Sequence, residues 1–292
     1  VLLLWHLEVS DKAEECLMWT IAGFADEISP DPDLQCTVLA ELGIGYLELR
    51  GAWDRNVLDL DEEQLTRLRQ TLERHGIRLS SVASPIGKDP VTGDFGEYPR
   101  RLDRALQLAK ALGAPYVRIF SFLIPPGDDP ATHRDEVLRR MAALAARAEG
   151  QEIVLVHENE KHIYGDVPAR CLDVVESVGS PQLKLVWDPA NFVQCGVRPY
   201  TDGYALLRPH LAYLQIKDAF LATGEVAAAG AGDGELHQTI RALHADRFDG
   251  FFSLEPHLAS AGAASGFSGP ELFAHAHRAF TGLLEADGIP YR

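Results

Sequence analysis

The sequence predicts an α/β protein folded as a single (β/α)8 barrel, and three observations carry that prediction. From Met18 onward, short apolar runs alternate with amphipathic stretches, with successive runs roughly 25–40 residues apart. The apolar runs are continuous, as in strands buried on both faces of a parallel sheet. Four successive runs end on oxygen-bearing side chains: Ile153–Glu160 (IVLVHENE), Leu183–Asp188 (LKLVWD), Leu211–Asp218 (LAYLQIKD) and Phe251–Glu255 (FFSLE). A doubly wound open sheet would also alternate in this way. Its phosphate-binding G-x-G-x-x-G after the first strand is missing.

The elements follow in order. Trp19–Phe24 is the first strand, and Leu34, Val38 and Leu42 mark the face of the helix after it, with Gly43 at its end. Ile44–Leu49 is the second strand; Asp61 with Gln64 three residues later forms a capping box for a helix carrying Leu65, Leu68 and Leu72 before Gly76. Ile77–Val82 is the third strand, followed by a helix with Leu102, Leu106, Ala109 and Leu112 inward. Tyr116–Phe120 is the fourth, with Val137, Met141, Leu144 and Ala148 on its helix. After the fifth strand, Val167-Pro168 opens a helix. A short helix near Tyr204–Leu207 follows the sixth strand, one around His237–His244 follows the seventh, and Pro270–Leu284 closes the chain. Residues 1–17 do not fit the alternation and read as an N-terminal extension to a barrel spanning 18–292.

Composition narrows the function. The 292 residues are 46% hydrophobic and 24% charged, as in one large globular domain. A net charge of −16 opposes binding to a nucleic-acid backbone and suits a cytoplasmic protein acting on small neutral or weakly charged molecules. The four cysteines (Cys16, Cys36, Cys171, Cys195) form no C-x-x-C pair and read as free thiols. No apolar run approaches the ~20 residues of a membrane helix, and Val1–Trp5 lacks the basic flank of a signal peptide.

In a parallel barrel all carboxyl ends of the strands lie at one rim, so the four strand ends converge. Strand alternation places Val154, Val156 and Glu158 on one face, and likewise Val186 with Asp188, Tyr213 with Gln215 and Lys217, and Ser253 with Glu255. Several acids at one point repel one another unless a cation joins them. Glu158, Asp188, Gln215 and Glu255 therefore form a candidate metal set. Four oxygen donors favour a hard divalent cation, Mg²⁺ or Mn²⁺, over zinc. The plainer alternative is that these are strand-end groups bonded to neighbouring loops.

Residues 18–290 resemble the xylose isomerase-like TIM-barrel superfamily, in particular its sugar phosphate isomerase/epimerase branch. The resemblance rests on Gly23–Ser29 (GFADEIS), Tyr46–Arg50 (YLELR), His157–Asp166 (HENEKHIYGD), Trp187–Asn191 (WDPAN), Gln215–Ala219 (QIKDA) and Leu254–His257 (LEPH). It implies one divalent metal held by Glu, Asp, His and Glu, matching Glu158, Asp188 and Glu255, with Gln215 where the family usually has His. The substrate-binding His of the ketose 3-epimerases falls at Asn191 and their Arg at Leu221, so this chain departs from that pattern. Dimers are common in the family, so a homodimer is the implied assembly.

The chemistry that fits is proton transfer beside a carbonyl, with the metal stabilising an enediolate and Glu158 and Glu255 as the acid/base pair. That describes a sugar or keto-sugar isomerase/epimerase. A dehydratase or lyase acting on a keto-inositol or 3-keto-glycoside would use the same pair, and a catalytically inactive sugar-binding barrel is the third reading. An endonuclease IV-type repair enzyme would need many more His ligands. Asn191, Lys217, His257 and Glu48 are the candidate substrate contacts; the competing readings are an ion pair with Asp218, Glu158 or Glu255 for Lys217, a loop or supporting role for His257, and an ion pair with Arg50 for Glu48. Trp53, Phe120 and Trp187 read as pocket wall or as core, and Glu160 and His162 as solvated loop residues.

Overall fold

The computed structural model describes residues 17–259 and 268–292. Most of the expected N-terminal extension, and residues 260–267 of the loop after the eighth strand, lie outside the described residues. Eight parallel strands close into a barrel: β1 (Thr20–Gly23), β2 (Tyr46–Leu49), β3 (Arg78–Ala83), β4 (Tyr116–Ile119), β5 (Val154–Glu158), β6 (Leu183–Trp187), β7 (Leu211–Ile216) and β8 (Phe251–Leu254). Each strand pairs with its neighbours in sequence, and β8 closes on β1 with Gly23 opposite Leu254. This is the predicted (β/α)8 TIM barrel.

The helices form where the sequence signals them. Glu62–His75 starts at the Asp61–Gln64 capping box and ends at Gly76, whose φ of +67° provides the left-handed cap. Pro168 opens Pro168–Val178, and Gly179 (φ +62°) ends it. The first helix, Pro32–Glu41, differs from expectation: it buries Gln35, Cys36, Val38 and Leu39, while Leu34 is 41% exposed. The Gln35 amide donates to the carbonyls of Ser29 and Gly51, so a polar side chain takes the inward place and rotates Leu34 to the outside.

The apolar core separates into two zones. Leu155, Leu185, Trp187, Leu214 and Ile216 pack outward under the helices, while Val156, Val186 and Tyr213 form an isolated cluster inside the barrel. The inward layer above that cluster is polar. This is the alternation read from the sequence, and it positions the site.

Candidate active site

Glu158 is the last residue of β5, and Asp188 and Glu255 directly follow β6 and β8. Their carboxylate oxygens lie within 4.8 Å of one another. Glu158, Asp188 and Glu255 are 2%, 0% and 3% exposed, so the acids meet in a space almost closed to solvent. Asp188 also caps the short helix Pro189–Gln194, accepting from the Asn191 backbone N–H at 2.9 Å. That turn swings the Asn191 amide back to donate to Glu158 Oε1 at 3.3 Å and to the Asn159 carbonyl at 2.9 Å.

Three cations answer the three acids, Arg118 and Lys217 buried and Arg50 nearly so. Arg118 Nη1 lies 3.0 Å from Glu158 Oε2. Lys217 Nζ lies 2.7 Å from Asp188 Oδ2 and 3.2 Å from Glu255 Oε2, and Arg50 Nη1 donates to Glu255 Oε1 at 2.8 Å. Burial pushes the pKa of Glu158 up and that of Asp188 to about 7, against the pull of Arg118 and Lys217 respectively. Burial acts on Glu255 in the same direction, but Lys217, His257 and Arg50 together hold it well below the usual carboxylate range.

The donor set fits a hard cation. Glu158 Oε2, Asp188 Oδ2 and Gln215 Oε1 are buried and accept no hydrogen bond from the described residues, although cations stand at ion-pair distance from the first two. Gln215 is 0% exposed on β7, and its Nε2 donates to Glu48 Oε1 at 3.4 Å, which leaves Oε1 free to face a ligand.

A cavity of about 780 Å³ opens above the cluster, and Asn191, Lys217, Glu255 and His257 line it. Glu48 does not line it. Fully buried behind Gln215, it is pushed by burial to a pKa of about 8, and it makes no pair with Arg50, which bonds Asp26 and Glu255 instead. Both Glu160 and His162 line the cavity; His162 is exposed, as a solvated loop residue should be, whereas Glu160 departs from that expectation. Glu160 is held there by Lys88 Nζ at 2.9 Å. Trp187 is core, packed edge-on to Phe192 and Tyr204; Phe120 is fully buried under Lys88 and Arg118; Trp53 is half-buried under Arg67.

Sequence reasoning missed Arg118, the pairing of Arg50 with Glu255, and Glu27. A signal for Arg118 existed: it shares parity with Tyr116 on a strand otherwise apolar past its start, and a charge on an inward barrel position needs a partner. Asp218 was read only as the end of its strand run; its carboxylate in fact accepts four backbone N–H groups, from Ala219, Gly230, Gly232 and Gly234, at 2.8–3.0 Å. The Gly-rich loop after β7 wraps this one side chain.

A parallel (β/α)8 barrel with an acid cluster at the carboxyl ends of β5, β6 and β8 defines a class of barrel suited to holding a metal. The family model for the xylose isomerase-like TIM barrel matches residues 36–281, and the chain belongs to that family. A 2-epi-5-epi-valiolone 7-phosphate 2-epimerase from an Actinoplanes species is 30% identical over 220 residues, covering 74% of this chain and 78% of that one. Solved structures share the fold at lower identity. The probable 3-DHS dehydratase from Bacillus anthracis superposes with a TM-score of 0.70 at 16% identity, covering 90% of this chain and 98% of that one. A xylose isomerase-like TIM barrel protein from Mycobacterium smegmatis, in complex with magnesium, gives 0.66 at 20% identity, covering 91% and 98%. Among the described residues, no helix is long and apolar enough to cross a membrane.

Proposed function

We propose that this protein is a divalent-metal-dependent isomerase or epimerase of a sugar or keto-sugar, with Glu158, Asp188, Gln215 and Glu255 holding one Mn²⁺ or Mg²⁺. The observation that carries the reading is the meeting of Glu158, Asp188 and Glu255 oxygens within 4.8 Å behind a cavity large enough for a sugar. The cation supplies Lewis-acid polarisation of a substrate carbonyl oxygen. The chain's own residues move the proton. Glu255, just after β8 in the cavity wall, and Glu158, at the end of β5 behind that wall, sit on strands at different sides of the barrel, so one removes the α-proton and the other returns it. Lys217 steadies the developing negative charge, and Asn191 orients Glu158. His257 in the cavity wall contacts substrate hydroxyls.

The charge of the cavity favours an anionic substrate. Arg50, Arg55, Lys88, Arg118, Lys161 and Lys217 line it against Asp26, Asp54, Glu160 and Glu255, in a chain of net charge −16. Adding Glu158 and Asp188 behind the wall balances those cations, so a divalent ion makes the site positive. A phosphorylated sugar suits such a site, and the Actinoplanes relative is named for a phosphorylated substrate. Elimination of a β-substituent from the same deprotonated carbon is the second reading, since the two-carboxylate arrangement serves either outcome.

The test is metal content of protein purified without chelator, beside a Glu255→Gln variant, followed by a Mn²⁺-supplemented screen of free and phosphorylated ketoses, aldoses and keto-glycosides with products identified by NMR. About one Mn²⁺ per chain, weakened in the variant, with an epimer or isomer as product supports the proposal. A dehydrated product moves the assignment to the lyase. No metal binding after Mn²⁺ titration overturns both.

A further inference from the structure

Glu48 and Gln215 are both fully buried, and among the described residues each is the other's only side-chain hydrogen-bond partner. Gln215 Nε2 donates to Glu48 Oε1 at 3.4 Å, while Glu48 Oε2 and Gln215 Oε1 have no partner. Glu27, also fully buried, accepts from the His257 backbone N–H and from Ser268 Oγ, each at 2.8 Å; Glu48 has no donor but Gln215. Taking a carboxyl out of water is costly, and Glu48 does not line the cavity, so contact with substrate does not account for its place.

The bond reaches across the inside of the barrel. Glu48 is on β2 and Gln215 on β7, with β1 and β8 between them in the closed sheet. The register of β2 against β3 shifts between Leu47 and Glu48, an irregularity of the kind that re-aims a strand side chain. Ser80 Oγ donates to the Leu47 carbonyl at 3.2 Å, and Tyr213 Oη lies 2.7 Å from the same hydroxyl. Ser80 has one proton and gives it to Leu47, so Tyr213 is the donor to Ser80. Tyr213 is one inward position before Gln215, so β7 is tied to the β2–β3 pair at two successive inward residues.

An amide ligand has a requirement that a carboxylate lacks. Its oxygen can coordinate a cation and its NH2 cannot, and a half-turn of the terminal torsion exchanges the two. Gln215 stands between Asp188, just after β6, and Glu255, just after β8. In the metal-free protein, acids on both sides attract the NH2, which turns the oxygen away from the site unless an acceptor behind the amide holds it. A carboxyl keeps an accepting oxygen with or without its proton, so the hold by Glu48 does not depend on its charge.

We propose that Glu48 is the positioning residue for Gln215, holding the amide NH2 behind the acid cluster so that the amide oxygen is presented to the cation. This rests on the reading of Glu158, Asp188, Gln215 and Glu255 as a metal set.

The experiment is calorimetric titration of the full chain with Mn²⁺, with melting in chelator as the check on folding. Glu48→Met, close in shape but without a carboxyl, should weaken Mn²⁺ by about 10- to 100-fold, as loss of a ligand's supporting partner does. Glu48→Gln keeps an accepting oxygen and should recover most of that affinity. In a Gln215→Glu background the ligand has two equivalent oxygens and needs no orienting partner. There Glu48→Met should leave Mn²⁺ affinity unchanged or tighten it, since it removes a neighbouring carboxyl. Wild-type affinity in Glu48→Met, or an equal loss in both backgrounds, overturns the proposal. Where Glu48→Met does not fold, Glu48→Gln decides: a loss as large as that of Gln215→Ala overturns it. Wild type that binds no Mn²⁺ sinks the metal reading and this proposal together, whereas Mn²⁺ bound equally by wild type and Glu48→Met sinks this proposal alone.

Discussion

Arg118 Nη1 lies 3.0 Å from Glu158 Oε2, with the two side chains 5% and 2% exposed. Breaking a buried pair by removing one partner strands the other charge and costs about 3–5 kcal/mol. Arg118→Met should therefore lower the stability of the metal-free protein by that order. It also removes a cation that competes with a metal for Glu158. Added Mn²⁺ should then raise the melting temperature of the variant more than that of wild type. Thermal unfolding with and without Mn²⁺ checks this; a variant as stable as wild type in chelator refutes it.

His157 precedes Glu158 on β5 and points the opposite way, fully buried, with neither ring nitrogen hydrogen-bonded to any described residue. Burial lowers its pKa to about 3. The sign follows from proton binding: below about pH 6.5 the unfolded chain takes up a proton that the native ring refuses, so stability falls as the pH drops toward 3. By pH 5 the loss from this residue should reach about 2 kcal/mol. Urea unfolding of wild type and His157→Leu at pH 7 and pH 5 isolates it, since every other group titrates in both. Equal slopes in the two proteins would remove His157 from the account.

The same ring sets a steric limit. A Cβ on Gly165 would lie 2.4 Å from His157 Cε1 and 3.0 Å from Ser121 Oγ. Gly165→Ala should destabilise by about 1–3 kcal/mol, as overpacking does in closed cores, and His157→Ala should relieve much of that loss. A double-mutant cycle by urea unfolding tests the coupling; additive losses would place the clash elsewhere.

The barrel was legible because its signals are local. Apolar runs give strands, Asp61 with Gln64 gives a capping box, and strand alternation gives the inward direction of Glu158, Asp188 and Glu255. What escaped depends on contacts across the chain. The partner of Arg118 lies 40 residues away on the next strand, and that of Glu27 lies 230 residues away across the closing strand pair. Nothing within a short window distinguishes Glu48, buried under Gln215, from Glu160, held at the cavity wall by Lys88. Leu34 was misplaced because its neighbour Gln35 finds two backbone acceptors that no helical pattern records.

Gln215 stands where the family resemblance places a histidine. An imidazole nitrogen binds Mn²⁺ more strongly than an amide oxygen and gains little with Mg²⁺. Gln215→His should tighten Mn²⁺ about tenfold, a change of about 1.4 kcal/mol, with Mg²⁺ affinity nearly unchanged. Isothermal titration with each ion checks this. Unchanged affinity for both would place Gln215 outside the ligand set.

Asp218 follows Lys217, and its four backbone N–H bonds fasten the loop that carries Gly230, Gly232 and Gly234. The glycines are required by closeness: a Cβ on Gly232 would lie 2.5 Å from both Ala219 O and Asp218 Oδ1, and one on Gly234 2.6 Å from Asp218 Oδ1. The same loop forms the short hairpin of Asp218–Ala219 with Val226–Ala227, and Val226 lines the cavity. Asp218→Asn keeps the shape but offers one acceptor oxygen and turns an amide donor toward the remaining N–H groups. With buried donors left unpaired at about 1–3 kcal/mol each, the variant should lose about 2–4 kcal/mol. The loosened wall should raise KM more than it lowers kcat, because no group of Asp218 reaches the cavity. Urea unfolding gives the first quantity and steady-state kinetics the second. A large fall in kcat with KM unchanged would show that Asp218 acts through Lys217 rather than through the loop.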